Sequence, residues 1–128
     1  MNRRVLVVDD DEDLRTTVSD VLRDAGYDPI GVGDGQAALQ TLRTSDLPFH
    51  LVLLDLMMPR MDGWQFRIEQ LKDPALAQIP VIVMTAGRNL DEAPVQVDEI
   101  VLKPLHMDSL LDAVGRHCAG PEASSQSA

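Results

Sequence analysis

The sequence has little cysteine and a shortage of positive charge. Its single cysteine, Cys118, excludes an internal disulfide and is typical of a reducing compartment. Eleven Lys and Arg stand against 21 Asp and Glu, which gives a formal net charge of −10. Because nucleic-acid phosphates are bound by basic surfaces, we expect no nucleic-acid partner.

Long apolar runs are also lacking. The N-terminal Met1-Asn2-Arg3-Arg4 leads into only four apolar residues, and a run of acids follows them. Such a segment is too short for a signal peptide or a membrane-spanning helix. We therefore expect a cytoplasmic location and no membrane partner.

The length of the chain suits one domain. Its 128 residues, 45% of them hydrophobic, are enough to bury one core but not two. We place this domain at residues 1–120. Residues 121–128 are rich in Ser and Ala and have no apolar periodicity, so they are predicted to form a disordered tail.

Two short, unbroken apolar runs organise the chain. Val5–Val8 ends in the acids Asp9 and Asp10, and Leu51–Leu54 ends in Asp55. Unbroken runs of this length, bounded by turn residues, are typical of strands buried on both faces, as in parallel sheets. Three further strands are predicted, at Tyr27–Val32, Val81–Met84 and Glu99–Leu102.

Segments of helical periodicity alternate with these strands. The alternation predicts an α/β fold, with one doubly wound parallel sheet and helices on both faces. The flavodoxin-like strand order 2-1-3-4-5 is favoured because it places the two most apolar strands centrally. Between the fourth and fifth strands, Pro94 leaves only Leu90–Ala93, capped by Asn89, for a helical turn. The fourth helix is therefore predicted to be short or irregular.

Polar residues stand at the ends of four predicted strands: Asp9 and Asp10, then Asp55, Thr85 and Lys103. A parallel sheet brings these ends to one edge, where ligands bind in open α/β folds. Two unit charges about 4 Å apart repel by roughly 4 kcal/mol at an effective dielectric near 20, so converging carboxylates need a compensating charge. Mg²⁺, which is usually held by one or two carboxylates with waters and phosphate oxygens, is suited to this role.

The same segments resemble the signature of response-regulator receiver domains of two-component systems. The resemblance rests on four pieces in order, Val7-Val8-Asp9-Asp10, Leu53 to Gly63, Met84-Thr85-Ala86 and Leu102-Lys103-Pro104. It implies a stand-alone regulatory phosphoacceptor rather than an enzyme. The protein would be a monomer or a weak dimer. Its partners would be a sensor histidine kinase or phosphotransfer protein, which donates the phosphoryl group, and a downstream effector protein.

The resemblance also implies roles for individual residues. Asp55 would be the phosphoacceptor and, with Asp9, Asp10 and the backbone carbonyl of Met57, would form the Mg²⁺ site. Asp10 would bind the ion directly, and Asp9 would act through a bound water.

The resemblance implies two further roles. Thr85 would donate a hydrogen bond to the phosphoryl group, and Lys103 would form an ion pair with the phosphoryl group. The resemblance further suggests a cis peptide bond between Lys103 and Pro104. Where many members of the family have an aromatic residue, this chain has Ile100.

Two alternatives stay open at this point. Asp9-x-Asp11 also looks like the opening motif of haloacid-dehalogenase-like phosphatases, with Asp9 as nucleophile, although Thr85-Ala86-Gly87 stands where that family needs an acidic pair. The other alternative is a receiver-like interaction scaffold that does not use phosphate, which Ile100 and the shortened fourth helix would favour.

Overall fold

A computed structural model describes residues 3–58, 60–86 and 96–118 of the protein. In these ranges no helix is long and apolar enough to cross a membrane. The strands and helices of the described residues are β1 (Arg4–Val8), α1 (Glu12–Asp24), β2 (Asp28–Val32), α2 (Gly35–Thr44), β3 (Leu51–Asp55), α3 (Gly63–Leu71), β4 (Val81–Thr85), β5 (Glu99–Leu102) and α4 (Met107–Cys118).

The five strands form one parallel sheet in the order β2-β1-β3-β4-β5, which confirms the predicted fold class and strand order. The central strands β1 and β3 are the two unbroken apolar runs, and residues 5–8 and 51–55 are all buried. Because these two strands are neighbours in the sheet, the acids that follow them lie next to each other.

Each face of the sheet has its own apolar core, as the predicted two-sided helix packing requires. On one face, Leu6 and Leu54 pack with Phe66 of α3. On the other face, Val7 and Leu53 belong to a core with α1 and α4. Consecutive residues of β1 and β3 thus alternate between the two cores, which fixes the strand register because a slip of one residue would exchange them.

Acidic residues begin three of the helices. The side chains of Asp11, Asp34 and Asp62 each accept a backbone N–H of the first turn, in α1, α2 and α3 respectively. Asp62 and Gln65 form a reciprocal capping box, in which each side chain accepts the backbone N–H of the other residue. These caps satisfy helix N–H groups that would otherwise lack partners. They also fix the loops that follow β1, β2 and β3.

Two further expectations concern the segments around β5. The Lys103–Pro104 peptide bond is cis, as the resemblance suggested. The predicted short helix at Leu90–Ala93 and the predicted tail at residues 121–128 lie outside the described residues.

A buried polar network links α3 to the amino ends of β4 and β5. Arg67 donates to the Gln96 carbonyl oxygen at 3.0 Å and to Gln70 Oε1 at 3.0 Å, and its guanidinium lies 3.7 Å from Asp98 Oδ2. Asp98 Oδ2 in turn accepts the Val81 backbone N–H at 2.7 Å. The network therefore holds the chain at the point where it enters β5.

The loop after β3 closes tightly on the first residue of α3. The Gly63 backbone N–H donates to the Leu56 carbonyl oxygen at 3.0 Å. A Cβ atom on Gly63 would lie 2.9 Å from Leu56 Cα and 3.0 Å from the Asp55 carbonyl oxygen. Only glycine allows this approach between the helix and the end of β3.

We therefore expect the substitution Gly63→Ala to lower the free energy of unfolding by about 1–3 kcal/mol, because the added methyl group meets backbone that cannot rotate away. The matched control is Gly115→Ala in α4, where the nearest atom, Tyr27 Oη, would be 4.0 Å from the new Cβ. That control should raise stability by roughly 0.5–1 kcal/mol, since glycine is unfavourable inside a helix. Urea titrations of both variants measure the two changes, and equal stability of Gly63→Ala and the parent would contradict the prediction.

Candidate functional site

Three carboxylates meet at the carboxyl edge of the sheet. Asp9 and Asp10 follow β1, Asp55 ends β3, and one carboxylate oxygen from each residue lies within 4.8 Å of the others. Asp9 and Asp55 are only 1% and 4% exposed, whereas Asp10 is exposed. The cluster therefore has a buried floor of two acids and an exposed rim at Asp10.

Lys103 brings a positive charge to this cluster from the end of β5. Its Nζ lies 3.4 Å from Asp55 Oδ1 and 3.9 Å from Asp9 Oδ2. The Lys103 backbone N–H also donates to the Thr85 carbonyl oxygen at 2.7 Å, so the last residue of β4 holds the lysine backbone. The lysine thus compensates part of the negative charge of two acids at once.

Thr85 and Met57 border the cluster in different ways. Thr85 is 4% exposed and ends β4, the strand next to β3. The Met57 backbone N–H donates to Asp55 Oδ1 at 3.2 Å, while the Met57 side chain is 76% exposed. Met57 therefore contacts the Asp55 carboxylate through its backbone, and its thioether is largely in solvent.

The two oxygens of the Asp9 carboxyl group differ in their hydrogen bonds. Its Oδ1 accepts the Asp11 backbone N–H at 2.9 Å. Its Oδ2 is buried and has no hydrogen-bond partner in the described part of the chain. A buried carboxylate oxygen without a hydrogen bond is costly, so this atom, which has the Lys103 ammonium 3.9 Å away, is suited to bind a further cation.

The environment of Asp9 opposes its ionisation. The pKa of Asp9 is raised from the ordinary 3.8 to about 6, mainly by burial and further by the neighbouring Asp55 carboxylate. The Asp11 backbone N–H and the Lys103 ammonium act in the opposite direction. The lysine alone therefore does not offset the combined burial and repulsion at this site.

These features fit a hard divalent cation. Oxygen ligands from carboxylates are what Mg²⁺ prefers, and the partner-free Oδ2 of Asp9 supplies a buried ligand atom. A divalent ion would also reverse the unfavourable charge balance among Asp9, Asp10 and Asp55. The residues present are thus suited to Mg²⁺, with Lys103 as a second, permanent cation.

All the residues predicted for the site lie at this one edge of the sheet. Arg15 of α1, which no sequence motif marked as a site residue, also contacts the cluster: its Nη1 donates to the Asp9 carbonyl oxygen at 2.7 Å. A basic residue one turn into an acidic helix start was the only signal, and such residues are commonly solvent-exposed.

Comparison with known proteins identifies relatives along most of the chain. A family model described as the response regulator receiver domain matches residues 5–115. The DNA-binding response regulator MtrA of Mycolicibacterium smegmatis is 35% identical over 119 residues, which cover 89% of this chain and 50% of MtrA. Protein PilG of Pseudomonas aeruginosa is 31% identical over 118 residues, which cover 89% of this chain and 86% of PilG.

The solved structures agree with these matches. The chemotaxis response regulator CheY4 of Vibrio cholerae superposes with a TM-score of 0.83 at 27% identity, covering 91% of this chain and 98% of CheY4. The chain spans only 25–50% of the length of three curated relatives, MtrA among them.

We expect Asp9→Asn to raise stability in metal-free buffer at neutral pH by about 1–3 kcal/mol, because asparagine keeps the shape of the side chain and removes the repelled charge. The sign follows from the raised pKa of Asp9. The parent loses stability as the pH rises from about 3.8, the ordinary pKa, through about 6, the raised pKa of Asp9. The stability advantage of the variant should therefore be absent below about pH 3.8 and complete above about pH 6.

Melting curves in the presence of a chelator, recorded across this pH range, measure the effect. The control is Asp46→Asn, which removes a charge from an exposed loop residue. A melting temperature for Asp9→Asn at or below that of the parent at neutral pH would contradict the prediction.

Proposed function

This chain belongs to the response-regulator receiver family of two-component signalling, and on that premise we propose that Asp55 accepts a phosphoryl group from a phosphohistidine. The donor would be a sensor histidine kinase or a phosphotransfer protein. The observation that carries the proposal is the position of Asp55 itself, a 4% exposed carboxylate at a strand end with the Lys103 ammonium 3.4 Å from its Oδ1.

The transfer uses one carboxylate oxygen of Asp55 as the nucleophile. Oδ1 accepts the Met57 N–H and faces Lys103, which leaves Oδ2 to attack phosphorus. A bond forms between this oxygen and phosphorus as the phosphorus–nitrogen bond to the donor imidazole breaks, and the imidazole nitrogen keeps the electron pair. The product is an acyl phosphate on Asp55 and a neutral histidine on the donor.

Asp9, Asp10, Asp55 and the Met57 backbone carbonyl would hold Mg²⁺. When bound, the ion neutralises charge on the transferring phosphoryl oxygens. Asp10, the exposed member of the set, would bind the ion directly from the solvent side. Asp9 would act through a bound water at its buried Oδ2, which has no hydrogen-bond partner among the described residues.

Lys103 and Thr85 bind the phosphoryl group during the transfer and after it. The Lys103 ammonium pairs with a phosphoryl oxygen, since it already lies within 4 Å of two carboxylates and is held at its backbone by the Thr85 carbonyl. The Thr85 hydroxyl, at the end of the neighbouring strand, donates to another phosphoryl oxygen. Both groups stabilise charge that appears in the transfer and persists in the acyl phosphate.

The chain acts as a regulator, and its output passes to a partner protein. MtrA is named a DNA-binding response regulator, but this chain covers only half of MtrA. The net charge of −10 disfavours contacts between this chain and nucleic-acid phosphates. An effector protein that distinguishes the phosphorylated from the unphosphorylated receiver is therefore the proposed target.

Radiolabelled acetyl phosphate and Mg²⁺ should label the parent chain, and Asp55→Asn should abolish the label because the nucleophilic oxygen is lost. Peptide mapping after borohydride reduction identifies the modified residue. Asp28→Asn is the control, since Asp28 begins β2 and pairs with Arg4 at the opposite edge of the sheet.

Label on Asp9 instead of Asp55 would favour the phosphatase alternative. A parent chain that takes neither label nor beryllofluoride in the presence of Mg²⁺ would favour the phosphate-independent scaffold.

The exposed thioether of Met57 predicts a slowly hydrolysed acyl phosphate. A thioether is a weak acceptor and orients an attacking water poorly, whereas a carboxamide can hold one by hydrogen bonds. We expect Met57→Asn to shorten the phosphate lifetime several-fold and Met57→Leu to leave it unchanged. The loss of label from purified phosphoprotein over time measures both, and equal lifetimes for the parent and Met57→Asn would refute the prediction.

A further inference from the structure

Arg15 of α1 lies against a trough formed by two glycines, Gly31 of β2 and Gly33 in the loop that follows β2. A Cβ atom on Gly31 would lie 3.0 Å from Arg15 Cγ and 3.1 Å from Cδ, and one on Gly33 would lie 3.5 Å from Nη1. The absence of side chains at these two positions makes room for the arginine stem. The arginine side chain therefore packs against the backbone of these glycines instead of extending into solvent.

The guanidinium at the end of this path holds the backbone of the acidic site. Arg15 Nη1 donates to the Asp9 carbonyl oxygen at 2.7 Å, and the Asp9 N–H donates to the Val32 carbonyl oxygen at 3.1 Å. The Asp9 carbonyl belongs to the peptide unit that joins Asp9 to Asp10. A charge-assisted hydrogen bond at that oxygen thus sets the plane of the peptide from which Asp10 projects.

Asp10 depends on this peptide more than its neighbours do. Asp9 Oδ1 is fixed by the Asp11 N–H, and Asp55 Oδ1 is fixed by the Met57 N–H. The exposed Asp10 side chain makes no such hydrogen bond within the ranges that the structure describes. The position from which its carboxylate extends is consequently set by the Asp9–Asp10 peptide.

We infer that Arg15 is a positioning residue for the cation site, holding the Asp9–Asp10 peptide so that both carboxylates converge on Asp55. The inference rests on the proposed function, since it assigns a role in Mg²⁺ binding at the same site. Groups that orient metal ligands without touching the metal commonly change affinity by about 10–100-fold when they are removed.

Because Arg15 is positively charged, the direction in which its removal changes the Mg²⁺ affinity distinguishes the possible roles. If Arg15 acted only as a nearby positive charge, its removal would reduce repulsion and Mg²⁺ would bind more tightly. If it positions the Asp9–Asp10 peptide, its removal weakens binding despite the loss of a cation. A residue that only stabilises the fold would change the melting temperature of the metal-free protein and leave the Mg²⁺ affinity unchanged.

The experiment measures the Mg²⁺ dissociation constant of the full chain by calorimetry. We expect Arg15→Met, which keeps an unbranched stem and removes the guanidinium, to raise this constant by about tenfold or more. The matched control is Arg23→Met on the same helix, whose arginine pairs with Asp20 at the surface; it should leave the constant unchanged. Unchanged or tighter Mg²⁺ binding by Arg15→Met would overturn the inference.

A second variant keeps the charge and disturbs only the trough. Gly31→Val places atoms where the arginine stem lies, so it should also weaken Mg²⁺ binding, but it should have no further effect in an Arg15→Ala background. Equal effects of Gly31→Val in both backgrounds would overturn the inference even if Arg15→Met did not fold.

The parent chain separates failure of the inference from failure of the proposed function. If the parent binds Mg²⁺ and beryllofluoride and the variants bind Mg²⁺ as tightly as the parent, the role of Arg15 is overturned and the proposed function is not. A parent that binds no Mg²⁺ overturns both.

Discussion

The mutual repulsion of acids held at one sheet edge is the constraint on which the rest of the structure depends. Asp9 and Asp55 are nearly inaccessible to water and lie within 4.8 Å of each other and of Asp10 through their oxygens. Asp9 follows one central strand and Asp55 ends the other, so the pairing of β1 with β3 keeps these two acids close together. The apolar cores on both faces of the sheet supply the stability that keeps the acids together.

The loops around the acids are fixed by local hydrogen bonds rather than by apolar burial. Asp11, Asp34 and Asp62 begin helices at the same edge of the sheet, and Gly63 allows α3 to start directly against the backbone of Leu56. Each of these residues has a conformational reason to be there that is independent of phosphate chemistry. Together they give the reactive carboxylates a rigid support.

The sheet and the acid cluster could be predicted from the sequence because both depend on local patterns. Unbroken apolar runs such as Leu51–Leu54 mark buried parallel strands, and the polar residue after each run reaches one shared edge. Arg15 could not be found in this way, since its side chain reaches Asp9 past Gly31 of β2 and Gly33 of the loop after β2, which are distant in sequence. The buried side chains of Arg67 and Gln70 were missed for a similar reason, because polar residues are buried only when distant partners satisfy them.

The two anchored ends of β5 have an evolutionary consequence. At its amino end, Asp98 exchanges hydrogen bonds with Val81, and at its carboxyl end the Lys103 N–H donates to the Thr85 carbonyl oxygen. The pairing of β5 with β4 is thereby set by residues on either side of the intervening stretch 87–95. Substitutions that keep these two pairs of contacts therefore keep the Lys103 ammonium close to the Asp55 carboxylate, so this contact can be inherited while the surrounding sequence diverges.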